Sequence, residues 1–199
     1  MIGEQIIDTF ASLGDLGMVA ALVAIILIDG TGVPTLPEVW MVWIFGVHPG
    51  SFGWAVTLII VSSVASLGGN FILYSIVKFV GMPKRIQKVM RKYTDFLIVS
   101  DERLLLLNRV APLVPYTGAF MAVHEWNLKK CAFYLILGAL AKSTVVVGLA
   151  ALSYDNLRQE LAPWVALGAV IVVLLASLVA SLIYRRRIGM KEGAVRSQS

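Results

Sequence analysis

The sequence predicts an all-α integral membrane protein, built as an inverted-repeat bundle with two re-entrant hairpins, about four full spans and an interfacial amphipathic helix. The 199 residues are 58% hydrophobic and only 15% charged, whereas a soluble domain carries about a quarter charged residues. The mean hydropathy is +0.83. Several apolar stretches are long enough to cross a bilayer, and two shorter ones are interrupted by prolines. The chain length suits one membrane domain.

Four apolar stretches are predicted to span the membrane, because about 20 apolar residues in a helix cross the hydrocarbon core. The first contains Asp15 and the third contains Lys142, whereas the other two carry no charge in their apolar cores. The single domain, 1–199, is predicted to comprise a span at 9–28, a re-entrant hairpin at 29–50, a span at 54–80, an amphipathic interfacial helix at 83–102, a second re-entrant hairpin at 104–125, spans at 129–154 and 161–184, and a basic cytoplasmic tail at 185–199.

The segments 29–50 and 104–125 are predicted to enter the membrane and return on the same side. Their apolar runs are too short to cross a bilayer, and each is interrupted by two prolines: Pro34 and Pro37 in the first, Pro112 and Pro115 in the second. Non-helical backbone is tolerated at membrane depth only where protein or a water-filled cavity satisfies its polar groups. The two segments therefore predict a polar cavity.

The basic residues predict the orientation of the chain. In 83–102, apolar residues recur at helical spacing while basic residues take the other faces, which is typical of a helix in the membrane interface. An even number of crossings separates this basic cluster from the C-terminal one. The positive-inside rule therefore places both clusters, and the C-terminus, in the cytoplasm. The N-terminus is expected on the same side, and the protein in the cytoplasmic membrane.

The two proline segments also suggest an internal repeat. Asp29 and Glu38 bracket the first Pro-x-x-Pro, and Arg109 precedes the second. Each segment is followed by a long span with small and polar residues, and the one span between the units inverts the second. Inverted repeats with broken helices near the midplane form the substrate sites of many secondary transporters. Two prolines alone would also be consistent with simple kinks.

Two motifs carry a family resemblance. Gly69-Asn70-x3-Tyr74-x3-Lys78-x2-Gly81 is similar to a Gly-Asp-x3-Tyr-x2-Gly-Arg-x2-Gly signature, from which Asn70, Val77 and Lys78 depart. Arg109-Val-Ala-Pro112-Leu-Val-Pro115 is similar to an Arg-x-x-Pro-x-x-Arg segment, with Pro115 replacing the second arginine as in one branch. Over about residues 22–151 the chain thus resembles the DedA superfamily, also called VTT-domain or SNARE-associated membrane proteins.

The resemblance implies a transporter that moves an anionic lipid between leaflets, either a polyprenyl-phosphate carrier or a phospholipid, with proton coupling in some members. The expected partners are membrane lipids with anionic headgroups and not nucleic acid, self-association into a homo-oligomer stays open, and no cofactor is implied. Two alternatives remain: a proton- or cation-coupled carrier of a small solute, and a structural or assembly protein. Hydrolase, metalloprotease and phosphate-loop motifs are absent from the sequence, so we expect neither an enzyme nor a metal site.

Ionisable residues at membrane depth are the main functional candidates, because an unpaired charge there costs several kcal/mol. Arg109 carries a planar fork of donors that suits a phosphate, and Lys142 is the second cationic candidate. Asp29 and Glu38 are candidates for proton coupling, since partial desolvation favours proton uptake. The alternatives are an ion pair between Arg109 and an acid that only locks the hairpins together, and a Lys142 that snorkels to the interface.

The remaining candidates are polar or structural. Asn70 and Tyr74 share a helix face and are predicted to contact substrate, with hydrogen bonding between helices as the alternative. The structural hairpin residues are predicted to be Gly118 and the four prolines, Pro34, Pro37, Pro112 and Pro115.

Overall fold

The computed structural model describes residues 12, 14–33, 35–82, 102–110, 116–157, 160–176 and 179, with only the backbone for residues 107, 109 and 110. Helices and turns make up these residues and none of them is in a strand, so the all-α prediction is confirmed. The helices are α1 (Gly14–Gly30), α2 (Pro37–Phe45), α3 (Phe52–Ser75), which a π-helical turn (Ile76–Val80) extends, α4 (Leu104–Val110), α5 (Thr117–Val123), α6 (Leu128–Asn156) and α7 (Ala162–Ala176).

Some predicted elements lie outside the described residues. These are the amphipathic helix 83–102 except its last residue, the tail 185–199, the start of the span 9–28 and the end of the span 161–184. Pro34, Pro112 and Pro115 also lie outside the described part of the chain.

Two of the described helices, Phe52–Val80 and Leu128–Asn156, are long and apolar enough to cross a membrane, and each has 29 residues. At 1.5 Å per residue such a helix is about 43 Å long, which exceeds the ~30 Å hydrocarbon core. Both begin with a side-chain cap: the hydroxyl of Ser51 accepts a hydrogen bond from the Trp54 amide, and the side chain of Asn127 accepts from the amides of Lys129 and Lys130.

Helices α1 and α2 form a helical hairpin whose two ends meet. The imidazole Nε2 of His48, after α2, lies 2.9 Å from Asp15 Oδ1 at the start of α1. Helix α1 lies along α3 and approaches it closely where Gly30 meets Gly69, since a Cβ on Gly30 would lie 2.6 Å from the Gly69 Cα. The sequence suggested a span ending at 28 and then a separate hairpin, whereas in the structure α1 is one arm of the hairpin.

Helices α4 and α5 are the arms of a second hairpin, and its ends also meet. The amide of Asn127, after α5, donates to Glu102 Oε1, before α4, at 3.2 Å. Helices α3 and α6 are antiparallel, because Lys78 and Leu128 line one cavity while Tyr154 packs against Gly46. The contact that joins the open ends of the first hairpin therefore lies at the end of the bundle that holds Asp155, here called the Asp155 end. The second hairpin closes at the opposite, Lys129 end.

Each hairpin packs one arm on α3 and the other on α6. The two halves of the chain, the first hairpin with α3 and the second hairpin with α6, thus exchange arms. Helix α1 packs on α3 and α4 packs on α6, but α2 packs on α6 and α5 on α3, while α3 and α6 cross in the centre. Gly118 permits the contact of α5 with α3, because a Cβ there would lie 2.2 Å from the carbonyl oxygen of Asn70.

The turn before each short helix has the same backbone conformation. The N-cap residue of α2 is Leu36 (φ 50°, ψ 60°) and that of α5 is Tyr116 (φ 57°, ψ 51°), so both are left-handed. In L-residues this conformation is uncommon, and it recurs here 80 positions apart, the separation of Asp29 and Arg109. The turns also touch, because a Cβ on Gly32 would lie 2.3 Å from the Tyr116 ring.

Candidate functional site

An ion pair between Glu38 and Lys142 joins the first hairpin to α6. Glu38 is only 5% exposed, and the side chain of Lys142 is 31% exposed. Since α2 begins at Pro37, the carboxylate of Glu38 lies in the first helical turn, where the helix dipole favours a negative charge. The structure thus brings together two charged residues that are 104 positions apart.

A small cavity with both polar and apolar lining lies beside this ion pair. Its volume is about 30 Å³, enough for one or two water molecules. The polar residues that line it come from four helices: Asp29, Glu38, Ser62, Ser66, Lys142 and Ser143. A cavity with this many polar groups offers a water molecule the two to four hydrogen-bond partners that it needs.

The cavity lies halfway along both long apolar helices. Ser66 is fourteen residues from either end of Phe52–Val80, and Lys142 is fourteen residues from either end of Leu128–Asn156. If these helices cross a membrane, the charged pair lies near the bilayer midplane, where ionisable residues are costly and mostly functional.

Hydroxyl groups connect the helices around the cavity. Ser62 and Ser143 hydrogen-bond to each other, with 3.0 Å between their oxygens, at the crossing of α3 and α6. In the turn of the first hairpin, the amide of Thr35 donates to Asp29 Oδ1 at 3.3 Å, and the hydroxyl of Thr35 donates to the Ile25 carbonyl at 3.1 Å. The turn that carries Glu38 into the bundle is therefore tied to α1 by polar contacts.

The ion pair can respond chemically to a proton or to an anion. Removing one charge from a buried pair leaves the other uncompensated, which costs several kcal/mol. A proton on Glu38 would leave Lys142 without its counter-charge, and an anion that approached Lys142 would restore the balance.

The structure brings together some of the predicted site residues. Asp29, Glu38 and Lys142 line one cavity. Arg109 is in α4, and its side chain lies outside the described part of the chain. Asn70 is buried and its amide donates to the Ser66 carbonyl at 2.7 Å, within the same helix. Tyr74 lines a different cavity, towards the Lys129 end.

The serine side chains of the cavity were not among the predicted site residues. Ser62 and Ser66 are four residues apart and thus share a face of α3, which is a signal that the sequence contains. Ser143 neighbours Lys142, but its contact with Ser62 depends on how α3 and α6 cross. Lys78 and Glu125 were also not among the predicted site residues. Both line the cavity towards the Lys129 end that Tyr74 lines.

In comparisons with known proteins, the chain matches no family model, no curated protein and no solved structure.

Proposed function

We propose that this chain is a membrane transporter that moves an anionic lipid between leaflets and uses the Glu38–Lys142 pair as its proton-sensitive element. One observation supports this most directly: a buried carboxylate–ammonium pair beside a polar cavity, midway along two membrane-competent helices. Intramembrane charges of this kind usually mark substrate or proton pathways. The motif resemblance to the DedA superfamily supports the lipid as substrate.

In the proposed cycle, protonation of Glu38 frees Lys142 to bind the phosphate of a headgroup, with Arg109 as a second phosphate ligand. Loss of the proton restores the ion pair and displaces the phosphate. The cavity has room only for water, so a headgroup can enter only when α2 moves away from α6. The ion pair is a polar contact between these two helices, which makes its opening the proposed trigger.

We further propose that the two hairpins are re-entrant and enter the bilayer from opposite sides, and that α3, α6 and the predicted span 161–184 cross it. The contacts of Asp15 with His48 and of Glu102 with Asn127 support this, because each closes a hairpin on one end of the bundle. The exchanged packing of α2 and α5 is the arrangement expected of an inverted repeat.

Transport by reconstituted liposomes tests the proposal. Leaflet exchange of fluorescent polyprenyl-phosphate and phosphatidyl lipids is measured with and without a pH gradient. We expect transport by wild-type protein, loss of its pH dependence in Glu38→Gln, and loss of transport in Lys142→Gln. Lys129→Gln, an exposed lysine in the first turn of α6, is the matched control. Transport by both Glu38→Gln and Lys142→Gln at the wild-type rate and with the wild-type pH dependence would reject the proposal.

The role of Arg109 is tested in the same assay. If its side chain binds a phosphate, Arg109→Lys impairs transport although the charge is kept, because an ammonium cannot form the bidentate contact. If Arg109 only serves as a structural counter-ion, Lys restores transport and only Arg109→Gln lowers the melting temperature.

The size of the cavity favours one second candidate, a proton- or cation-coupled carrier of a small solute. A space of about 30 Å³ accommodates water or a small ion without rearrangement. Proton or cation flux into liposomes without any lipid exchange would support this candidate over the first. Wild-type behaviour of the Glu38 and Lys142 variants in both assays, with only their stability reduced, would indicate a structural protein.

A further inference from the structure

A second cavity lies at the Lys129 end, well away from the Glu38–Lys142 pair. Its volume is about 610 Å³, within the range of about 300–1,000 Å³ that is usual for ligand sites. It lies where the π-helical turn after α3, the turn after α5 and the start of α6 come together. The residues that line it include Tyr74, Lys78, Met82, Glu125, Trp126 and Leu128.

One side of this cavity can bind an anion. Lys78 Nζ donates to the Tyr74 hydroxyl at 2.8 Å and lies 5.3 Å from the centre of the Tyr74 ring. This contact uses one of the three ammonium donors and leaves the Tyr74 hydroxyl proton available to a second acceptor. An ammonium and a phenol side by side form a suitable pair of donors for a phosphate oxygen.

The other side of the cavity can bind a cation. Glu125 lines it, and no ion pair between Glu125 and Lys78 is present among the described residues, although both face the same space. Glu125 adopts a left-handed backbone (φ 50°) directly after the end of α5, where the Trp126 amide donates to the Met121 carbonyl, as in a Schellman C-cap. Its carboxylate suits a primary amine, which donates hydrogen bonds.

The surroundings indicate that such a ligand comes from the membrane. Lys78 is two residues from the end of the apolar helix Phe52–Val80, which would place it at headgroup level. The neighbouring Phe79 and Val80 are 78% and 84% exposed and offer an apolar surface to acyl chains. Trp126 is almost fully buried beside the cavity, and tryptophan is enriched at this depth.

We propose that this cavity binds the zwitterionic headgroup of a primary-amine phospholipid, with the phosphate on Lys78 and Tyr74 and the amine on Glu125. The site does not depend on the transport proposed above, because it concerns binding at the interface and none of its residues lines the central cavity. The same headgroup chemistry occurs in free phosphoethanolamine, so the source must be tested separately.

The test measures binding of short-chain phosphatidylethanolamine, phosphatidylcholine and phosphatidylglycerol to the purified full chain in detergent by native mass spectrometry. We expect wild-type protein to bind phosphatidylethanolamine about tenfold more tightly than the other two, the factor that one charge-assisted hydrogen bond supplies. Lys78→Gln should weaken all three lipids, and Glu125→Gln should remove only the preference for the amine. Lys129→Gln and Glu160→Gln are exposed matched controls and should bind as wild type.

Two further measurements distinguish the proposed binding from misfolding and from binding of a soluble ligand. Lys78→Arg keeps the cation and should retain binding, so a loss confined to Lys78→Gln is not a folding defect. Soluble phosphoethanolamine should compete only weakly, because it lacks the acyl chains. Equal binding of the three lipids by wild-type protein, or unchanged selectivity in a correctly folded Glu125→Gln, would overturn the proposal. Binding of soluble phosphoethanolamine as tight as that of the lipid would reject the membrane as the source.

Discussion

At the scale of single residues, the Glu38–Lys142 pair has a large energetic consequence because Glu38 is buried. Two charges that leave water lose hydration, and only their mutual attraction compensates that loss. Glu38 is nearly inaccessible whereas Lys142 keeps part of its side chain exposed. The penalty for breaking the pair therefore falls more heavily on a variant that leaves Glu38 charged and alone.

We expect Lys142→Met to lower the free energy of unfolding by about 3 kcal/mol, the lower end of the range for a broken buried pair, because partial exposure moderates the effect. The double variant Glu38→Gln/Lys142→Met should recover most of that loss, since no charge then remains unpaired. Thermal unfolding in detergent measures both, with Lys129→Met as the control. A double variant no more stable than Lys142→Met alone would contradict the assignment.

The left-handed Leu36 allows a test of backbone strain. Leu36 is 59% exposed, so replacing it removes little packing, and at φ 50° glycine relieves a steric cost of about 1–2 kcal/mol. We expect Leu36→Gly to be more stable than Leu36→Val, because a β-branched residue tolerates this conformation worst. At Leu16, exposed within α1, the order should reverse, since glycine disfavours a helix. Thermal unfolding of the glycine and valine variants at both positions measures these orders. The same order of stability at Leu36 and at Leu16 would contradict backbone strain at Leu36.

At the scale of elements, close backbone contacts determine how the hairpins pack. Gly30 meets Gly69 between α1 and α3, and Gly118 meets Asn70 between α5 and α3. Small residues at such crossings let helices in a membrane approach closely enough for dispersion contacts, which replace the hydrophobic effect there. Helix α3 therefore holds an arm of each hairpin.

Gly118→Ala should destabilise the protein by about 1–3 kcal/mol, the usual cost of overpacking, because the new Cβ would lie 2.2 Å from a backbone oxygen that cannot rotate away. Gly148→Ala in α6 is the matched control, since its Cβ would meet nothing within 4 Å. Thermal unfolding in detergent compares the two variants. Equal stability of both would mean that α5 does not approach α3 this closely.

The contact that closes the second hairpin should depend on pH. Hydrogen bonds from its own backbone amide and from that of Asn127 hold the pKa of the Glu102 carboxyl below its ordinary value of 4.5. A lowered pKa in the folded state contributes stability above the unfolded-state pKa, and this contribution is lost as the pH falls through the folded-state value. Wild-type protein should therefore be more stable than Glu102→Gln at neutral pH and lose that advantage as the pH falls below the ordinary value of 4.5. A difference in melting temperature that does not change with pH would contradict this.

The helix boundaries of the long elements were predictable, whereas the hairpins were less so. The stretches 54–80 and 129–154 become helices Phe52–Val80 and Leu128–Asn156, because a long apolar run is itself the signal. The apolar run at 9–28 looks the same whether it crosses alone or forms one arm of a hairpin. That difference depends on the contacts of Gly30 with Gly69 and of Asp15 with His48, which are tertiary.

The candidate site was predictable in its parts but not in its pairing. Asp29, Glu38 and Lys142 stood out as charges within apolar sequence. The partner of Glu38 could not be predicted from the sequence, because the ion pair depends on the tertiary packing of α2 against α6.

At the scale of the whole molecule, the described charges are distributed unevenly between the two ends. Lys78, Arg103, Lys129 and Lys130 lie at the Lys129 end, whereas the acids Asp15, Asp155 and Glu160 lie at the other, with no Lys or Arg among the described residues there. If the long helices cross a membrane, the positive-inside rule leads us to expect the Lys129 end on the cytoplasmic side. Residue 14 then lies on the outer side with His48, whereas the sequence suggested a cytoplasmic N-terminus.

Cysteine labelling tests this orientation in cells. In a background with Cys131→Ala, a cysteine at Lys129 should react with an impermeant reagent only from the cytoplasmic side. Cysteines at Asp155 and at Pro49 should react only from the outer side, because the first hairpin closes at the Asp155 end. Labelling of 49 and 155 from opposite sides would contradict the antiparallel arrangement of α3 and α6, and labelling of a cysteine at Leu16 from the side opposite to 49 would exclude a re-entrant first hairpin.

The exchange of arms between the two halves has a consequence for biosynthesis. Glu38 leaves the ribosome 104 residues before Lys142, which at about 5–20 residues per second is a delay of roughly 5–20 s. During that interval the nascent first half holds a carboxylate whose partner does not yet exist. It must stay protonated, remain near the headgroups, or be shielded by the insertion machinery. The first hairpin can therefore complete its folding only after α6 has been synthesised. Chains released before that point should be recognised and degraded.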